Sequence, residues 1–223
     1  MVFAKDLTDS NTQGLMLLSQ QRFDEAARTF RACLATLHDH LQSLAAEQKS
    51  LPPQDKTICY EAFPIEITKK NTCDTPSPLF SYDKGFMIVP TSQQGAEHSK
   101  TVDEHLFSCV FLYNLGLTFL LRGNLDLVSR RVDYKRSVAL YTMSRNIYPG
   151  FQGCSLLLQL AILNNLAHIH LQNYDVEGFE TCIELMREIL CTNQDKDEEA
   201  LSLFSLNVVL SDISHFFRLA PAA

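Results

Sequence analysis

Six of the eight prolines fall between residues 52 and 90: Pro52, Pro53, Pro64, Pro76, Pro78 and Pro90. Proline breaks helices because it lacks a backbone donor and its ring clashes with the preceding turn. The middle of the chain therefore cannot be helical, while the flanks, with only Pro149 and Pro221 among them, can be.

The first flank reads as two helices. Leu7, Leu15, Leu17 and Leu18 form one apolar stripe. After a short linker at Gln20–Arg22, Phe23, Ala26, Ala27, Phe30, Cys33, Leu34 and Leu37 repeat at helical spacing, thinning toward Lys49. The middle changes period. Phe63, Ile65 and Ile67 alternate, and Leu79–Pro90 is rich in aromatic and β-branched residues, which predicts an antiparallel hairpin around a loop at Lys69–Pro78. Pro64 then marks an edge strand or a bulge. From Thr101 the helical period returns, predicting helices to about Arg122, then Arg130–Tyr148, Ser155–Gln172, Val176–Cys191 and Glu198–Arg218.

Composition narrows the class. The 223 residues are 46% apolar and 20% charged, an ordinary globular balance, with a net charge of −7. That charge argues against nucleic acid and acidic membranes as general partners, since phosphate binding needs clustered positive charge. Seven cysteines, odd in number and without a CxxC, suggest buried free thiols in a reducing compartment. The opening residues carry no apolar run of signal-peptide length. The greasiest stretch, Leu106–Leu121, is short for a membrane span and predicts a buried helix. The expected address is the cytoplasm, with the nucleus as the alternative.

Three helix pairs share a pattern. Gly14-x2-Leu17 precedes Ala26-x3-Phe30 and Cys33; Leu115-Gly116-x2-Phe119 precedes Ser137-x3-Tyr141 and Ser144; Leu166-Ala167-x2-His170 precedes Gly178-x3-Cys182 and Leu185. This resembles the tetratricopeptide repeat, a helix-turn-helix unit of about 34 residues. Small residues at Gly14, Gly116 and Ala167, and at Ala26, Ser137 and Gly178, let paired helices approach; Phe30 and Tyr141 fill the space between pairs. Two spacings depart from the pattern. About nine residues are inserted around Asp126–Asp133, and the third pair is one residue short. The expectation is one all-α domain over 1–223, an antiparallel helix-pair solenoid. It has a first pair at 1–49, an inserted β-hairpin and loops at 50–100, second and third pairs at 101–192, and a capping helix and tail at 193–223.

Residues that could carry chemistry are weak. His38-Asp39-His40 and His168-Ile169-His170 place their imidazoles about 200° apart on a helix, so neither pair grips one metal ion. The cysteines lack a nucleophile's surroundings, and no GxSxG, GxxxxGK[ST], GxGxxG or HExxH occurs. No catalytic residue, cofactor site or metal site is assigned. Arg130, Arg131, Lys135 and Arg136 read as a solvated helix start, with contact to an acidic partner as the alternative.

The resemblance implies a concave surface lined by the first helix of each pair. It falls on Asn11, Leu15, Leu18 and Ser19, on Tyr113, Leu117, Leu120 and Leu121, and on Asn164, His168, Leu171 and Gln172. Family members that hold the carboxylate tails of heat-shock chaperones use lysine, arginine and asparagine there; this chain matches only at Asn114 and Asn165. The middle of the surface is apolar, so its ligand is apolar or the chain itself covers it. The leading expectation is a non-enzymatic adaptor or scaffold that binds a peptide or helix of another protein. A self-associating structural protein, homodimeric through the last helix, is the first rival. An enzyme or small-molecule binder with a pocket between hairpin and helices is the second. The hairpin face Phe63, Ile65 and Ile67 is expected to pack on the long second helix or on Leu117, Leu120 and Leu121.

Overall fold

The computed structural model describes residues 2–47, 59–67, 81–91, 104–147, 155–193 and 198–219. Among them are seven helices and one hairpin: α1 (Val2–Ser19), α2 (Phe23–Glu47), β1 (Cys59–Glu66), β2 (Lys84–Thr91), α3 (Glu104–Leu125), α4 (Arg130–Ile147), α5 (Leu156–Gln172), α6 (Val176–Thr192) and α7 (Glu198–Leu219). The expected helix starts at Thr101 or Asp103, the loop Lys69–Pro78 and the stop at Pro149-Gly150 lie outside the described residues, as do Cys73 and Cys154. Contacts group the chain into two compact units, one within Met1–Asn71 and Asp83–Ser155, the other within Thr72–Tyr82 and Leu156–Ala223.

In the first unit α1, α2, α3 and α4 pack in sequence, and the hairpin rests on α1 and α3. The close approaches fall where the small residues predict them. A Cβ built on Gly14 would lie 2.6 Å from Phe30 Cε1, and one on Gly116 would lie 2.8 Å from Tyr141 Cε1. Ser137 Oγ donates to the Gly116 carbonyl at 2.9 Å, and Ser144 Oγ to the Cys109 carbonyl at 3.0 Å. Phe30 and Tyr141 thus fill space within their own pairs. The inserted residues lengthen α3 to Leu125 and add a turn before α4. There Arg122 grips the buried Asp133 through Nε–Oδ2 (2.8 Å) and Nη2–Oδ1 (2.6 Å). Arg31, Arg122 and Arg136 surround the Phe119 ring at 5.1 to 5.5 Å, so cation–π contacts tie α2, α3 and α4 to one aromatic.

In the second unit α5 and α6 form an antiparallel pair, and α7 packs on both. The turn of this pair repeats the turn of the first. Gln21 (φ 59°) and Tyr174 (φ 58°) both sit in the left-handed region, seven residues after Gly14 and Ala167 respectively. In each turn the following amide reaches back five residues, Arg22 to the Leu17 carbonyl and Asp175 to the His170 carbonyl, both at 2.9 Å. The second helices then start at the same offset, at Phe23 and Val176. Counted from that start, the third pair loses its one-residue shortfall. Phe179, Ile183 and Met186, not Gly178, Cys182 and Leu185, occupy the offsets of Ala26, Phe30 and Cys33.

The hairpin departs from its expected face. Strands β1 and β2 pair antiparallel with Ala62 opposite Ile88 and Pro64 opposite Phe86. Phe86 and Ile88 are buried, and Ala62 with them. Phe63 is 43% exposed and Ile65 half-buried; of the expected trio only Ile67 is buried. The small partners Ala62 and Pro64 leave room for the bulk of Phe86, which selects that face. Ile67 lies past the end of β1 and turns in beside Gly85, whose position would bring a Cβ to 2.9 Å from Ile67 Cδ1 and into Leu15 of α1. The platform is therefore α1 with α3, the helix that carries the second expected patch Leu117, Leu120 and Leu121, rather than α2.

Candidate functional site

The residues expected to line a concave surface are mostly buried under the chain itself. Asn11, Leu15, Leu18, Tyr113, Leu117, Leu120, Asn164 and His168 are buried; Leu121 and Leu171 are half-buried, and only Ser19 and Gln172 are exposed. In the first unit the cover is β2. Phe86 meets the Tyr113 ring edge-on at 5.1 Å, and Tyr113 Oη donates to the Lys84 carbonyl at 3.0 Å.

Asparagine side chains hold this cover by its backbone. The Phe86 amide donates to Asn114 Oδ1 at 2.9 Å, and Asn114 Nδ2 donates to the Phe86 carbonyl at 2.8 Å. Asn11 Nδ2 donates to the same carbonyl at 3.0 Å, while its Oδ1 accepts the other Asn114 proton at 2.9 Å. All of these groups are buried. An asparagine amide carries one acceptor and two donors in a plane, so it can satisfy the N–H and C=O of one extended residue without touching its side chain.

Two further consequences follow for the sheet. The N–H and C=O of a strand residue point to the same edge. Those of Phe86 are turned to Asn114, so the opposed Pro64 faces outward from the ladder, where its missing N–H costs nothing. Asn114 also covers part of the β2 edge that would otherwise be open to pairing.

The second unit contains the same arrangement. The Tyr82 amide donates to Asn165 Oδ1 at 2.8 Å, and Asn165 Nδ2 donates to the Tyr82 carbonyl at 3.0 Å. The Tyr82 ring lies 5.1 Å from that of Phe204 on α7. Asn207 Nδ2 donates to Asn164 Oδ1 at 2.7 Å, which ties α7 to α5. The resemblance had marked Asn114 and Asn165; their occupant, the chain's own residues 82 and 86, was not legible in the sequence.

The remaining candidates resolve into local roles. His38 bonds Gln42, and His40 stacks on Phe3 with centroids 3.9 Å apart. His168 is buried, whereas His170 bonds Asp175 at 2.7 Å at the mouth of the turn. The bond from the Gly178 amide, then that to His170, hold the Asp175 carboxyl below the ordinary aspartate value. Among the described residues no three histidine, cysteine or acidic side chains converge. Cys33, Cys109 and Cys182 are buried and unbridged, and burial pushes the Cys33 thiol up to about 11. Cys191 is exposed, against the expectation of burial, because it sits on the outer face of the last turn of α6.

The basic cluster divides. Arg130 donates to the carbonyls of Gly123 and Asn124, neutralising the end of α3, and Arg136 reaches Asp133 at 3.4 Å. Arg131 and Lys135 are exposed. Comparison with known proteins yields no match to a family model, a curated protein or a solved structure.

Proposed function

We propose that this chain is a non-enzymatic protein-interaction module, a divergent tetratricopeptide-like stack whose asparagine-bearing helices hold an extended peptide by its backbone. The observation that supports this reading is the bidentate grip of Asn114 on Phe86, repeated by Asn165 on Tyr82. The equivalent turns at Gln21 and Tyr174 support the repeat. Backbone recognition of extended segments is a recurring mode of peptide binding, with side-chain pockets adding selectivity. Here the aromatic neighbours Tyr113 and Phe204 would select aromatic side chains. The chain's own Phe86 and Tyr82 are the resident ligands of Asn114 and Asn165, each within its own unit, and a partner segment of the same form competes with them. The adaptor works in the cytoplasm, without metal or cofactor.

The experiment is a selection of random peptides on the full chain, followed by competition with a free peptide of residues 81–91. Selected peptides carrying aromatics and displaced by that competitor support the reading. A selection that yields no peptide, or peptides indifferent to the competitor, removes it.

A second reading, self-association, is favoured by α7. Leu203, Leu206 and Val209 are exposed at spacings of three, a stripe on the side away from the buried Leu201, Phe204 and Val208. Sedimentation of the wild type and of Leu206→Glu separates the readings. A dimer that becomes a folded monomer on substitution supports self-association; a wild type that stays monomeric at micromolar concentration removes it.

A further inference from the structure

The turn between α3 and α4 exposes apolar side chains. Leu125, Leu127, Val128 and Val132 all lie on the surface within eight residues, with Leu127 72% and Val128 93% exposed. The turn is held in shape: Asp126 Oδ1 accepts the Val128 amide at 2.9 Å, and the Ser129 carbonyl accepts the amides of Val132 and Asp133. These residues are therefore presented on a braced convex tip.

The charge around the tip is the reverse of the chain's. Residues 122–136 carry Arg122, Arg130, Arg131, Lys135 and Arg136 against Asp126 and Asp133, a net of +3 in a protein of net −7, and Asp24 of α2, paired with Arg122, brings the local sum to +2. Asp133 is buried and spent on Arg122 and Arg136. Arg131 and Lys135, one helical turn apart on α4, are exposed beside Val132.

We propose that this tip docks on an anionic lipid surface, with Leu127 and Val128 entering the interface and Arg131 and Lys135 meeting the headgroups. Apolar side chains flanked by basic ones match the two layers of such a surface. The convex shape favours lipid over protein, because a fluid interface closes around a protruding Val128 while a folded partner would need a matching pocket. The inference is independent of the peptide reading, since it uses no asparagine and no residue of the hairpin.

The test is co-flotation of the full chain with vesicles of phosphatidylcholine alone or mixed with phosphatidylserine. Binding is expected on the mixed vesicles only, weakening with salt. Arg131→Glu/Lys135→Glu should weaken it about tenfold or more, and Leu127→Asp/Val128→Asp should abolish it. All four positions are exposed, so thermal melting should stay at the wild-type value and serves as the folding control. Three results would overturn the proposal: no binding to the mixed vesicles, equal binding to both kinds, or binding to an acidic peptide such as polyglutamate in place of vesicles.

Discussion

Asn114 of α3 returns both hydrogen bonds that Phe86 of β2 offers at its outer edge, across 28 residues of sequence and in a fully buried setting. Its third bond goes to Asn11. Asn114→Ala removes all three, and leaving buried polar groups unsatisfied costs about 1–3 kcal/mol. Denaturant unfolding should show a lower midpoint with an unchanged slope. A midpoint equal to that of the wild type would mean the grip contributes nothing.

Gly14 and Phe30 are packed too closely for any side chain at Gly14. Gly14→Ala places a methyl at about the 2.6 Å separation from Cε1, so Phe30 must move. Overpacking of this kind costs about 1–3 kcal/mol. Phe30→Leu in the same chain should recover part of that loss, because the two changes share one space. A double-mutant cycle with a coupling energy near zero would contradict the packing.

Asp133 gives the fold an acid limit. Burial alone would raise its carboxyl; the bonds from Arg122, with the charges of Arg122 and Arg136, outweigh this and hold it below the ordinary aspartate value. A lowered native value means the stabilisation is complete above the unfolded value of about 3.9 and is lost as pH falls below it. Asp133→Ala should remove that part of the acid dependence. At neutral pH it should cost toward the low end of about 3–5 kcal/mol, since Arg122 is a fifth exposed and keeps Asp24. An acid-unfolding curve identical in the two proteins would refute the assignment.

The thiols should separate by burial. Reaction needs an accessible thiolate. Cys191 is exposed, and Cys33 is both buried and raised to about 11. Brief maleimide labelling of the native chain, mapped by mass spectrometry, should modify Cys191 at least about tenfold faster than Cys33, Cys109 or Cys182. Comparable labelling of Cys33 would contradict the packing of α1 on α2.

The helices were legible because their signal is local. The apolar period placed α4, α5 and α6 to within a residue or two, and Gly14 and Gly116 marked the close crossings. The hairpin existed in the sequence as a change of period, but its face did not. Alternation at Phe63, Ile65 and Ile67 suggested a buried trio, while the choice was made by the cross-strand pairs Ala62–Ile88 and Pro64–Phe86, which depend on a register set at long range. Asn114 and Asn165 stood out only through a family resemblance. What they hold depends on where the hairpin lands, and no spacing along the chain encodes that. The exposed tip at Leu127 and Val128 was hidden for a similar reason: the sequence placed it in the insertion between helices ending at about Arg122 and starting at Arg130, and no local period says whether the apolar side chains of such a connection turn inward or out.

The central claim is that Asn114 and Asn165, each within its own unit, bind extended backbone, with Phe86 and Tyr82 as their residents. Hydrogen exchange of the full chain, with and without a selected peptide, tests it most directly. In the free protein the amides of Tyr82 and Phe86 should exchange slowly, being buried and bonded to Asn165 and Asn114. Peptide bound at either asparagine should release the amide held there to fast exchange while the helices stay protected. Peptide binding that leaves Tyr82 and Phe86 as protected as before would contradict the account.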